Sequence, residues 1–159
     1  MKIKLFFLTL LFATSSLANN LPYEQAKKAG IKKCLSEIKG ITDFIIANKP
    51  HGSHSTWSSK NTDESIYSST IEINHTNDLN VTSIFITPTI NNKCSIAYER
   101  VAYLGKSCIA LSKEDFSKFD YKGELNKTVS ILSRESGGHL YLMPAGEGCI
   151  AIRKEIIQD

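Results

Sequence analysis

The stretch from Cys94 to Cys108, C-S-I-A-Y-E-R-V-A-Y-L-G-K-S-C, carries two of the four cysteines of the chain at its two ends. The segment between them is rich in Tyr, Ile and Val, the composition of a strand. Apolar runs of similar character lie on both sides of it, which places it in the interior of an antiparallel sheet. In a regular strand Cys94, Ile96 and Tyr98 share one face, while Val101 and Tyr103 take the other. One extra residue near Glu99–Arg100 would return Val101 and Tyr103 to the face of Tyr98, so a β-bulge is expected there.

The chain around this strand reads as exported. Met1-Lys-Ile-Lys4 is a short basic segment, Leu5–Ala13 is an apolar run too short for a stable membrane anchor, and Ser16-Leu17-Ala18 offers small residues to a signal peptidase. Residues 1–18 are expected to be a cleavable signal peptide of bacterial type, and 19–159 a single domain in the periplasm or medium. Lys2 and Lys4 account for most of the formal charge of +3, and the other basic residues are dispersed. That is not the footprint of a nucleic-acid binder. No later apolar run is long enough for a membrane helix, so no membrane association is expected after cleavage.

Cys34, Cys94, Cys108 and Cys149 all follow the leader, and an even count in an exported chain implies two disulfides. No C-x-x-C spacing suggests a redox site or zinc knuckle. If residues 94 to 104 run straight they span roughly 35 Å, and four further residues retrace only about 13 Å, which disfavours Cys94–Cys108. The preferred pairing is Cys34–Cys108 with Cys94–Cys149, and the exchange of partners is the close alternative.

Pro22 to Asn48 reads as one long helix, with Ile31, Cys34, Leu35, Ile38, Ile41, Thr42 and Ile45 on one stripe. Gly30 and Gly40 weaken it by about 1 kcal/mol each relative to Ala. Lys49 to Ser65 is polar and reads as a long loop. From Ile66 the period becomes two, with strands at Tyr67–Asn74, Val81–Thr87 and the Cys94 segment. Ser112-Lys-Glu-Asp115 resembles the cap of a short helix reaching Phe119. Strands follow at 128–134, 139–143 and 149–156, turning at Gly137-Gly138 and at Pro144–Gly148. The expected fold is α+β, order α-β-β-β-α-β-β-β, with the long helix across a curved antiparallel sheet.

Within the polar segment, His51-Gly-Ser-His54 could contribute imidazoles to a transition metal, with Asp63, Glu64 and His75 as further donors. The spacing alone does not make a site, and no metal or other cofactor is expected. Ser53, Ser55 and Ser58 lie near these histidines, but no G-x-S-x-G elbow is present. The chain has a single tryptophan, Trp57, which either anchors the loop to the core or is an exposed contact residue. The candidate binding residues are therefore His51, His54, Trp57 and, in the 144–148 turn, Glu147. The resulting expectation is a non-catalytic protein-binding module, an inhibitor or accessory factor of another exported protein. The alternative is a small hydrolase or metal-binding enzyme built on the loop histidines.

Overall fold

A computed structural model of the protein describes residues 19–74, 79–91 and 93–158. The signal-peptide reading of residues 1–18 and the candidate ligand His75 lie outside them.

The amphipathic N-terminal segment forms two helices, not one: α1, Leu21–Ala29, and α2, Leu35–Ile46. Gly30 adopts φ 88°, a left-handed conformation that ends α1 and turns the chain. Pro22 sits in the first turn of α1, and the Asn20 side chain caps it by accepting from the Tyr23 amide. The same side chain donates to Thr42 and Asp43 at 2.7 Å each, tying the start of α1 to the end of α2. The expected apolar stripe holds, since Ile31, Cys34, Ile38, Ile41, Thr42 and Ile45 are all buried.

Among the described residues eight strands follow: β1 (His51–Trp57), β2 (Tyr67–Asn74), β3 (Leu79–Pro88), β4 (Cys94–Leu104), β5 (Asp120–Glu124), β6 (Ser130–Ser133), β7 (His139–Ala145) and β8 (Gly148–Gln158). They form one antiparallel sheet in the order β1-β2-β3-β4-β8-β7-β6-β5. Two four-stranded meanders thus meet along β4 and β8. The short helix α3, Cys108–Lys113, leads from β4 to the far edge of the sheet.

Register assigns the faces. Ile84, Tyr98 and Glu155 are opposite one another across β3, β4 and β8, as are Ala102, Ala151 and Leu142 across β4, β8 and β7. Tyr98 and Ala102 are four apart on β4 and so face the same way. Helices α1 and α2 pack there on Tyr67, Ile71, Ile84 and Ile96, and α3 packs through Leu111 on Leu132, Leu140, Leu142 and Ala151. Both helical covers therefore lie on one face, over different halves of the sheet.

Three further expectations are corrected. No bulge occurs at Glu99–Arg100, because both registers of β4 run unbroken through it. Val101 and Tyr103 face the other way because that face has apolar neighbours of its own, Val81, Ile150 and Ile152. The shift in register falls instead in β5, between Tyr121 and Gly123. The expected loop contains β1, whose inner face is polar. There Ser55 joins Gln25, Tyr67 and Ser69 in a hydrogen-bonded group beneath α1. The third helix begins at Ser107, which caps the Ala110 amide, and not at Ser112.

The disulfides are Cys34–Cys94 and Cys108–Cys149, the exchange of the preferred pairing. Cys94 and Cys108 remain unjoined, at opposite ends of the β4 segment. Each bridges one helical cover to the sheet, Cys34 at the N-terminus of α2 and Cys108 at that of α3. Among the described residues no helix is long and apolar enough to cross a membrane.

Candidate functional site

His51 and His54 are three apart on β1 and point to opposite faces. The imidazole of His51 is held locally. Its Nδ1 lies 2.9 Å from the Lys49 carbonyl, and its Nε2 accepts from the Leu21 amide at 3.3 Å. Ser53 and Ser55 bond to Gln25 of α1, on the face opposite His54. His54 is exposed, and Trp57 is 42% exposed at the end of β1. Glu147 is exposed in the β7–β8 turn, across the sheet. The four candidates do not converge, and among the described residues no group of three His, Cys, Asp or Glu side chains is placed to hold a metal.

Two other features do bring side chains together. The first is the face without helices. Val101 lies between Val81 and Ile152, Tyr103 faces Ile150, and Phe85, Ala97 and Ile156 are opposite one another across three strands. Phe85, Tyr103 and Ile156 are exposed, Ile156 by 75%. A cavity of about 450 Å³ is lined by Phe85, Ala97, His139, Tyr141 and Ile156, and by Glu99 and Lys154, which form an ion pair of 2.7 Å. The Glu99 carboxylate holds the Lys154 ammonium above its ordinary pKa. Over β1 and β2 the same face presents Thr56, Ser68, Thr70 and Glu72 and is polar.

The second feature lies on the helix-covered face, in the gap between the two covers. Arg100 and Arg153 are directly opposite each other on β4 and β8. Arg153 pairs with Glu155, its Nε at 2.8 Å and its terminal nitrogen closer still. Arg134 approaches the same carboxylate at 3.7 Å. Burial, and then the Glu155 carboxylate, push the Tyr98 phenol up to about 12. Burial works against the charge of Glu155, but the Tyr98 hydroxyl and the two arginines outweigh it and hold the carboxyl below its usual range. Arg100 donates from Nε to the buried Thr82 hydroxyl at 3.4 Å.

The sequence reading missed this cluster. Its one signal was an arginine inside an apolar strand, at the position taken for a bulge.

These features define an α+β protein with a few helices on one face of an eight-stranded antiparallel sheet and two disulfides. Comparison with known proteins returns no match to this chain among family models, curated proteins or solved structures.

Proposed function

We propose that the chain is an exported, non-catalytic protein-binding module, an inhibitor or accessory factor that engages another exported protein through the helix-free face of its sheet. The observation that carries this reading is the division of that face into a polar half over β1 and β2 and a half over β3, β4, β8 and β7 that is apolar on both sides of one polar row. An antiparallel sheet with one solvated face ordinarily alternates apolar-in and polar-out along every strand. From Ala97 to Tyr103, across four strands, this half measures about 14 by 20 Å, with Phe85, Ala97 and Ile156 on one side and Val81, Val101, Ile152 and Tyr141 on the other of a polar row, Ser83, Glu99, Lys154 and His139. Aromatic and aliphatic side chains around a depression that also holds one ion pair, Glu99 with Lys154, match the mixed composition of protein interfaces. Export is supported by the two disulfides, which cytosolic reductants oppose, and by the leader-like segment 1–18.

The test uses the oxidised chain from Asn19 onward as bait in an extract of exported proteins, beside a Phe85→Glu/Ile156→Glu variant. Both substitutions are at exposed positions, so the two baits should melt alike. Wild type should retain one stoichiometric partner that the variant loses. Equal retention by both refutes the assignment of the surface. Self-association of wild type, abolished in the variant, would replace the heterologous partner with a second copy. A His54→Ala/Trp57→Ala bait and a Glu147→Ala bait test whether contact extends to β1 or to the β7–β8 turn.

A further inference from the structure

Arg100 and Arg153 stand opposite each other in unbroken antiparallel register. Like charges so placed destabilise a sheet unless something between them compensates. Glu155 compensates Arg153. The neighbour of Arg100 is a neutral hydroxyl, that of Thr82. Two cavities flank the pair. One, of about 260 Å³, lies toward α3 and is walled by Leu104, Phe116, Phe119 and Leu140, with Asn80 at its margin. The other, of about 200 Å³, lies toward α2 and includes Phe44, Tyr98 and Lys49. Arg100 and Arg153 line both, and among the described residues no carboxylate lines either. Asn80 is 6% exposed, and among the described residues its Oδ1 is a buried acceptor without a hydrogen-bond partner. Such an atom is rare in a folded protein and calls for a donor, which a bound water could supply and a carboxylate could not, so the case for an anion rests on the two arginines.

We propose that this cleft binds an amphipathic organic anion, with a terminal carboxylate between Arg100 and Arg153 and an apolar chain in the cavity walled by Leu104, Phe116, Phe119 and Leu140. A guanidinium presents a planar fork of donors that matches a carboxylate, and one anion bridging two arginines removes their mutual repulsion. The larger cavity has room for on the order of eight or nine groups the size of a water molecule, at roughly 30 Å³ each. That suits a chain of six to eight carbons, in order-of-magnitude terms, and excludes a long lipid tail lying wholly inside. The same chemistry, a carboxylate beside an apolar group, is offered by a free medium-chain acid and by the C-terminus of a peptide that ends in an apolar residue. This site is on the opposite face of the sheet from the surface assigned above and stands or falls separately from it.

The experiment is calorimetric titration of the oxidised chain with octanoate, octanol, acetate and inorganic phosphate, and with a short leucine-terminated peptide as free acid and as C-terminal amide. Octanoate or the free-acid peptide should bind at least about tenfold more tightly than octanol, acetate, phosphate or the amide, the order of effect of one charge-assisted contact. Tighter binding of octanoate assigns a free acid as the source, and tighter binding of the peptide assigns a chain terminus. Both uphold the site. Arg100→Gln should weaken the preferred probe by about tenfold or more, and Arg100→Lys by less. The glutamine variant removes a repulsion, so it should melt no lower than wild type, which separates lost binding from lost folding. Arg153 is not the residue to change, since its removal would strand Glu155. Failure of wild type to bind any probe, equal affinity for octanol and octanoate, or unchanged affinity in Arg100→Gln would each overturn the assignment.

Discussion

Replacing Cys34 and Cys94 together by alanine opens the bridge that fastens α2 to β4 without placing a polar atom in its core, since both positions are almost fully buried. The two cysteines are 60 residues apart in sequence. The loop-entropy relation then gives about 4 kcal/mol of stabilisation, or about 12 °C in melting temperature for a chain of this size. The second bridge spans 41 residues and is worth about 0.3 kcal/mol less on the same relation. The two bridges should nevertheless fail differently. Cys34 sits in a cluster where α1 and α2 bury Ala26, Ile31, Ile38, Ile41, Ile45 and Ile46 against the sheet. Helix α3 has six residues and one buried side chain, Leu111. The Cys34→Ala/Cys94→Ala chain should therefore unfold in one cooperative transition at lower denaturant. The Cys108→Ala/Cys149→Ala chain should in addition lose amide protection over residues 108–113 under native conditions. Guanidinium melts and hydrogen exchange read both effects. A destabilisation below about 1 kcal/mol in the first variant, or protection of α3 equal to wild type in the second, would refute the reasoning.

Two further outcomes follow from single contacts. A Cβ built on Gly148 would lie 2.5 Å from the Leu104 carbonyl oxygen and 2.5 Å from the Tyr103 hydroxyl. The backbone oxygen has nowhere to go, so Gly148→Ala should cost about 2–3 kcal/mol in a urea melt, and a neutral result would deny the close approach of β8 to β4. Asp63 accepts from the Lys32 and Lys33 amides at 2.7 and 2.8 Å and clamps the corner between α1 and α2. The Lys33 amide first, and then that of Lys32, hold its carboxyl below the ordinary 3.8. A depressed pKa contributes stability that is complete above the unfolded value and disappears as pH falls through the folded one. Asp63→Asn should therefore melt lower than wild type at pH 7, by about 1 kcal/mol at most for so exposed a group. The difference should close below pH 3.8; a gap that persists in acid would point to packing instead.

Much of the helix-covered core was legible before any coordinates. The stripe from Ile31 to Ile45 and the alternation of Tyr67, Ser69, Ile71 and Ile73 are consequences of the two backbone periods, and all but the partly buried Leu35 are buried as read. Where the reading failed, the deciding contact was remote or the signal ambiguous. β1 contains Trp57 as its one large apolar side chain and pairs because Gln25, Tyr67 and Ser69 meet its serines. No short-range pattern announces such a strand. Gly30 is by propensity a weak helix residue, but its place in the fold is to end the helix in a left-handed conformation. The apparent break in β4 was an apolar second face, which alternation cannot distinguish from a bulge.

The sequence by itself pointed to amphipathic helical segments on an antiparallel sheet, to the pairing of all four cysteines, and against a Cys94–Cys108 bridge across a straight strand. These follow from side-chain periodicity and the fixed reach of an extended backbone. Only the tertiary structure decided which cysteines meet, which half of the open face is apolar, and that Arg100 and Arg153 confront each other. Each of those depends on β4 lying beside β8, a pairing between segments distant in the chain that neither segment specifies alone.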